Sequence, residues 1–359
     1  MQSPLGTKHS QDEPRLRLAL IGFGRAAERF HLPALMGSDR FDLAGVCDPL
    51  AQRRDLARKA IADVPIFGDP AELIADTDPD ALLIATPPRE HARLASWALM
   101  NGRHVLVEKP FAISLSDARS IASAASANSR CAAAGYNRRF KSSYGKLKRR
   151  LADSNHEILS VRFELGVAPG KWDPVSGYLN DSRAGGWVDL DVVSHQLDLL
   201  PWLYDSRIDK IRIVEDYSVS RHSQNIRFEL SLSNGMLCEC IARHGNDYTE
   251  HLGVRTATRH YLAHPTGLIA IRPRDGLNIY KLAAARNWMD RKFIRLGLRE
   301  DEMGASYQRQ LEEFAAYVTG AGAGDLATAN DAIRVHAALE ALAEARASPG
   351  VWTGLRDGS

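Results

Sequence analysis

Leu18-Ala19-Leu20-Ile21-Gly22-Phe23-Gly24-Arg25-Ala26-Ala27 decides the fold of this 359-residue chain. A short apolar run ends at Gly22, and a helical pattern over Ala26 to Leu35 follows at once. The string between them is G-x-G-x-x-A. Its first glycine allows a tight turn, its second lets the backbone approach a pyrophosphate, and the small Ala27 lets helix and strand pack closely, with the helix N-terminus facing the phosphates. Alone, such a string is also an ordinary glycine-rich turn. Its surroundings select the dinucleotide reading: the next apolar run, Phe41 to Cys47, ends at Asp48, where an acid can accept hydrogen bonds from a ribose diol. A carboxylate there repels a 2′-phosphate, which favours NAD. Arg53 and Arg54, a turn further on, leave NADP open or else form a solvated helix face.

The alternation continues outward. Pro49 to Ala60, Glu90 to Asn101 and Ser114 to Ala127 read as helices, the last opened by a serine able to cap it. Val64 to Phe67, Ala81 to Ala85, His104 to Val107 and Cys131 to Ala134 read as strands. Short buried strands between amphipathic helices predict an α/β Rossmann domain over 15–135, a doubly wound parallel sheet covered on both faces. Beyond residue 150 strands follow strands: Val161 to Val167, Ile211 to Val219, Ile226 to Leu232, Met236 to Ala242 and Leu268 to Ile271. Asn234-Gly235 marks a hairpin, because that pair tolerates positive φ. Helices are expected over Val188 to Leu203, Tyr307 to Val318 and Ala329 to Arg346. These predict an α+β domain over 136–359 with a large, mainly antiparallel open sheet, its last helix able to pack back on the Rossmann domain.

Composition sets limits. Hydrophobic residues make up 45% and charged residues 25%, as in ordinary globular chains. The net charge of +2 argues against a nucleic-acid partner. No apolar run approaches the ~20 residues that cross a bilayer, so no membrane partner is expected. Met1 to Pro14 is polar and reads as a disordered lead-in, 1–14, rather than a secretory signal. Four scattered cysteines suit a reducing, cytoplasmic setting. Cys238 and Cys240 share one strand face and read as buried thiols; no metal is expected.

Two further constellations carry chemistry. Lys109, in Glu108-Lys109-Pro110, follows a parallel strand, and the carboxyl ends of such strands line ligand crevices. It is either a site ammonium or a surface lysine, and the following proline makes a cis bond affordable. Asp191 and His195 stand four apart on a helix and so share a face, with Asp198 a turn later. They are either a satisfied core pair or the wall of a site.

Six segments in order resemble the glucose–fructose oxidoreductase, inositol dehydrogenase and rhizopine-catabolism (Gfo/Idh/MocA) family. They are G-F-G-R-A-A with His31-Leu32-Pro33; Cys47-Asp48; Ala85-Thr86-Pro87-Pro88 with His91; Glu108-Lys109-Pro110; Gly135-Tyr136-Asn137-Arg138-Arg139-Phe140; and Gly185-Gly186 leading to Asp191 and His195. The likeness runs from about Leu16 to Leu203 and resumes from about Tyr307. It implies a substrate held between the domains and a sheet that mediates homodimers or homotetramers. It also implies an NAD(P)-dependent dehydrogenase or reductase acting on a secondary alcohol or ketone of a sugar, polyol or sugar derivative.

In that reading Lys109 polarises the reacting oxygen, His195 is the general acid/base, and Asp191 holds substrate or tunes the other two; either Lys109 or His195 carries the proton. Gly22, Phe23, Gly24, Arg25, Ala26, Asp48, Thr86, Pro87, His91, Glu108 and Lys109 would meet the cofactor. A helix histidine such as His91 or His31 is otherwise a packing residue. Tyr136, Asn137 and Arg138, with Asp191 and His195, would line the substrate crevice, unless the first three only link the domains. Val193 replaces the glycine usual in D-x-G-x-H, and Trp187 and Asp189 replace small or aliphatic residues, departures that favour an unusual substrate. An NAD-dependent glycoside hydrolase and a non-catalytic cofactor-binding regulator are the rival expectations. The segment 281–300, with Arg286, Arg291, Lys292, Arg295, Arg299, Trp288 and Phe293, reads as a solvated basic face or a surface for a phosphate-bearing substrate or a partner subunit.

Overall fold

The computed structural model describes residues 15–152, 157–168, 188–220, 223–245, 247–272, 278–295 and 301–355. The lead-in over 1–14, Gly185-Gly186, Trp187 and residues 296–300 lie outside them.

The chain opens with β1 (Leu16–Ile21), a π-helical turn (Ala27–His31) and α1 (Leu32–Met36). There follow β2 (Phe41–Cys47), α2 (Ala51–Ala60), β3 (Ile66–Phe67), α3 (Pro70–Thr77) and β4 (Ala81–Ile84). Then come α4 (Pro88–Met100), β5 (His104–Val107), α5 (Leu115–Ala127) and β6 (Ala132–Ala134). Strands β1 to β6 pair in parallel, in the order β6-β5-β4-β1-β2-β3. Their near-continuous apolar runs are what a sheet buried on both faces requires. Ser114 caps α5 by accepting from Asp117 N at 3.1 Å. Helix α3 was not expected, although Asp69 caps it and Pro70 opens it, the pair that marks a helix start.

A 3₁₀ turn (Asn137–Phe140) and α6 (Ser142–Ala152) lead to β7 (Ile158–Val167). A second π-helical turn (Asp189–Val193) runs into α7 (Ser194–Tyr204). Strands β8 (Ile208–Ser220), β9 (Ser223–Leu232), β10 (Leu237–His244), β11 (Thr249–Thr256), β12 (His260–His264) and β13 (Gly267–Ile271) follow. The chain ends with α8 (Ile279–Arg295), α9 (Glu302–Val318), β14 (Ala327–Thr328), α10 (Ala329–Ala345) and β15 (Thr353–Gly354).

The second sheet has the order β13-β12-β11-β7-β10-β9-β8-β15 and is antiparallel except for β7 with β10. Asn234-Gly235 turns β9 into β10, with Gly235 at φ +83°. Strands β11 and β12 and helices α6 and α8 were not expected. The basic segment is therefore not wholly a solvated face: Ile279 and Ala283 of α8 are buried beside Leu262, Ile269 and Ile271, while Trp288 is 68% exposed.

The C-terminal stretch returns to the first sheet. Strand β14 pairs with β6, α9 packs on α1, and α10 packs on α5. A capping box between Thr328 and Asp331 starts α10 as it leaves the sheet edge. One apolar core runs through both halves, from Ile21 and Val107 to Phe163, Val193 and Cys240. No helix among the described residues is long and apolar enough to cross a membrane.

Candidate active site

The glycine turn comes first because its shape follows directly from its residues. Gly22 has φ +89°, and a Cβ there would lie 2.7 Å from Ala85 O and 2.9 Å from Thr86 Cγ2. Only glycine fits that approach. Asp48, at the end of β2, accepts from Phe23 N at 2.8 Å through Oδ2 and from Leu50 N at 2.9 Å through Oδ1. Its carboxylate thus ties the turn between β1 and the first helix to the end of the neighbouring strand. Gly24, Arg25 and Ala26 lead from this turn into the π-helical turn, a local widening common at functional sites. Thr86 and Pro87 follow β4 beside it, and Thr86 Oγ1 is buried without a hydrogen bond.

The loop after β5 is held from three sides. Glu108 Oε2 accepts from Lys109 N at 2.8 Å, and His31 Nε2 donates to Glu108 Oε1 at 2.6 Å. Burial opposes a charge on Glu108, but His31 and Lys109 more than offset it and lower its pKa. His91 is fully buried, with Nδ1 2.8 Å from Pro110 O and Nε2 2.8 Å from Thr86 O. It lies between the loop after β4 and the loop after β5, each ring nitrogen against a backbone carbonyl. His336 of α10 accepts from Ala112 N at 3.3 Å. The Lys109–Pro110 peptide is cis.

Lys109 then reaches across to the second half. Its Nζ pairs with Asp191 Oδ1 and lies 3.3 Å from Asp191 O. Asp191 Oδ2 accepts from His244 Nε2 at 3.1 Å. Burial penalises the Asp191 carboxylate, yet Lys109 and the His244 hydrogen bond hold its pKa far below the usual range.

The expected α-helical face shared by Asp191 and His195 is modified, because the turn carrying Asp191 is π-helical and its carboxylate faces Lys109 and His244. His195 sits one turn on, buried, edge-on to Tyr136 at 6.0 Å, with Nδ1 unbonded. Burial, then the Arg138 and Lys109 cations, push its pKa well below that of a free imidazole. These effects favour its neutral form. Val193 is fully buried in the core, and Asp189 is paired with Arg346 at 2.8 Å.

The 3₁₀ turn after β6 sends its residues in different directions. Asn137 Nδ2 donates to Ser306 Oγ of α9 at 3.0 Å. Arg138 lies 3.5 Å from Glu250, which also receives Lys141 Nζ at 2.6 Å and Tyr144 Oη at 2.8 Å. These cations lower the Glu250 pKa to about 2 against the penalty of burial. Arg139 makes a two-pronged pair with Asp198, through Nε at 3.0 Å and Nη2 at 2.6 Å. Asp198 thus belongs to the join between turn and helix.

The sequence reading missed His244, Glu250 and Lys141. His244 had a faint signal: it continues the same-face series Cys238, Cys240, Ala242 along β10, and a histidine closing an apolar series is out of place. Glu250 and Lys141 had none, since their pairing joins residues 109 positions apart. No group of three or more metal-ligating side chains occurs among the described residues.

Residues 16–136 match the model of the oxidoreductase family with an NAD-binding Rossmann fold, GFO_IDH_MocA. The uncharacterized oxidoreductase YdgJ of Escherichia coli is 35% identical over 141 residues, covering 38% of this chain and 39% of its own. The scyllo-inositol 2-dehydrogenase (NAD(+)) of Bacillus subtilis is 27% identical over 55% of this chain and 57% of its own. The chain thus spans about two-fifths to three-fifths of these curated relatives. Among solved structures, an oxidoreductase from Agrobacterium radiobacter in complex with NAD+, L-tartaric acid and magnesium superposes with a TM-score of 0.74 at 19% identity. That likeness covers 95% of this chain and 99% of the other, and extends the agreement in fold to both halves.

Proposed function

We propose, from the match of residues 16–136 to the Gfo/Idh/MocA oxidoreductases with their NAD-binding Rossmann fold, that the chain is an NAD-dependent oxidoreductase acting on a secondary alcohol or ketone of a sugar, polyol or sugar derivative. The observation that carries the reading is the Lys109–Asp191 pair, which joins the carboxyl end of β5 to the helix bearing His195. Ligands of open α/β sheets bind at such strand ends.

The chain's residues fit the cofactor. A Cβ at Gly24 would meet nothing nearer than Ala85 O at 4.0 Å, Thr86 Oγ1 is a buried polar atom without a partner, and the Asp48 carboxylate, tied to Phe23 N, would meet the ribose. When bound, NAD would supply the acceptor for the hydride leaving carbon. Gly22, Phe23, Gly24, Arg25 and Ala26 would cradle its phosphates, with Thr86, Pro87 and Glu108 near the nicotinamide end. The Asp48 carboxylate favours NAD over NADP.

Lys109 would hold the reacting oxygen and stabilise charge developing on it. His195, kept neutral by burial and neighbouring cations, would take the hydroxyl proton on its imidazole during oxidation and return it in reduction. Asp191 would fix the ammonium. Tyr136 and Arg138 would wall the substrate space. Unbonded buried atoms at His195 Nδ1 and His244 Nδ1 suit a ligand rich in hydroxyl groups.

The same reading divides the chain into a cofactor domain over 15–135 and a substrate and assembly domain over 136–359, with α10 returning to the first. Assembly would be a homodimer or homotetramer through the second sheet, where pairs such as Arg162–Glu239 and Arg243–Glu164 offer a self-complementary face. Four free cysteines suit a reducing compartment such as the cytoplasm.

The test is a screen of polyols, sugars and sugar acids with NAD and NADP, following reduced-nicotinamide absorbance. At least one substrate should react, and Lys109→Met should lower kcat by roughly 1000-fold with NAD binding retained. A chain that binds NAD but reduces it with no member of the panel would overturn the proposal.

A further inference from the structure

Asp191 is bound at both carboxylate oxygens, and only one of its partners comes from the Rossmann half. The other is His244, the last residue of β10, which is 1% exposed. In the sheet its register partners are Val167 on β7 and Gln224 on β9. Gln224 Oε1 accepts from Val188 N at 3.0 Å, immediately before the π-helical turn. Gln196 Nε2 donates to Phe163 O at 2.9 Å and to Ile241 O at 3.0 Å, just past the turn. Side chains from α7 and from the flanking sheet thus fasten the segment before, at and after Asp191.

We propose that His244 is a positioning residue for Lys109, acting through Asp191; the inference rests on the oxidoreductase reading above. A carboxylate only accepts, so His244 Nε2 carries the proton and donates it to Asp191 Oδ2. That bond fixes the carboxylate's rotation, which leaves Oδ1 directed at the Lys109 ammonium. The chain His244–Asp191–Lys109 therefore transmits the position of the end of an interior strand to the group that meets the reacting oxygen. A carboxylate bound only at Oδ1 could rotate about its Cβ–Cγ bond, and the ammonium would follow it. Displacement of a reacting group by about 1 Å can cost about 100-fold in rate.

The experiment compares His244→Leu, His244→Gln, Asp191→Asn and the double variant His244→Leu with Asp191→Asn, on a polyol that the wild type oxidises. His244→Leu should lower kcat about 10- to 100-fold with KM for NAD unchanged. His244→Gln, which can still donate to Asp191, should recover most of that loss. The double variant should be no slower than Asp191→Asn alone, because His244 acts only through that carboxylate. Equal losses for Leu and Gln, or losses that multiply in the double variant, would overturn the proposal.

A second readout needs no substrate. In ¹⁵N-edited NMR of the wild-type chain, the His244 Nε2 proton should exchange slowly and move on Asp191→Asn. A proton unmoved by Asp191→Asn refutes the bond itself. If no polyol is oxidised while that proton behaves as expected, the oxidoreductase reading has failed and the His244–Asp191 contact has not.

Discussion

Acidification should destabilise the fold through His336, and this one contribution can be isolated. His336 is 1% exposed on α10, and its Nε2 accepts from Ala112 N in the loop that follows Lys109. Accepting there requires a neutral ring. Burial lowers its pKa from 6.5 to about 4. The unfolded chain therefore binds a proton between those values that the folded chain refuses, so stability rises with pH across this window. The contribution is complete above about pH 6.5 and is lost as pH falls toward 4.

At ~1.4 kcal/mol per pH unit, the fall from 6.5 to about 4 is worth about 3 kcal/mol. Urea unfolding of wild type and His336→Gln at about pH 7.0, 5.5 and 4.5, which span this window, would measure it. Glutamine can still accept from Ala112 N but does not titrate. Other buried histidines titrate in both proteins, so the difference between the two curves belongs to His336. The variant should lose about 2 kcal/mol less than wild type over that range. Parallel curves would refute the reasoning, because they would mean that His336 takes up its proton in the folded state as readily as in the unfolded one.

Gly22→Ala forces a Cβ to within 2.7 Å of Ala85 O at φ +89°, so the turn must open. NADH affinity, read by nucleotide fluorescence, should weaken at least about 10-fold, the strain of an alanine there being of order 1–3 kcal/mol; unchanged affinity would remove this turn from the cofactor site. Arg139→Leu strands Asp198, whose side chain is 1% exposed, without its partner. Chemical denaturation should show a loss of about 3–5 kcal/mol, and adding Asp198→Leu should recover much of it, since an apolar pair is often as stable as a buried ion pair. Additive losses in that double variant would argue against the pair.

The Rossmann sheet was legible because its signals are local. Apolar runs of four to seven residues, glycines at the first turn and Asp48 at the next strand end each follow from a few adjacent residues. Helix α3 carried an equally local signal in Asp69-Pro70 and could have been read. In the second half, β9 and β10 were found as apolar runs on either side of the Asn234-Gly235 turn. Strand β11 was not found: Thr249-Glu250-His251 is polar in sequence, and Glu250 is inside only because Lys141 and Arg138 compensate its charge.

The site divides along the same line. The sequence by itself determined the glycine turn, Asp48 and, through family motifs, Lys109, Asp191 and His195 as a group, because residue type and spacing are written in one dimension. Tertiary structure alone decided that Lys109 meets one oxygen of Asp191 and His244 the other, that His91 sits between two loops, and that Asn137 bonds Ser306 of α9. Those outcomes depend on which strand ends lie side by side. A strand pairing brings together residues tens of positions apart, and a π-helical turn rotates a side chain away from its α-helical bearing; neither leaves a mark on the spacing of Asp191 and His195.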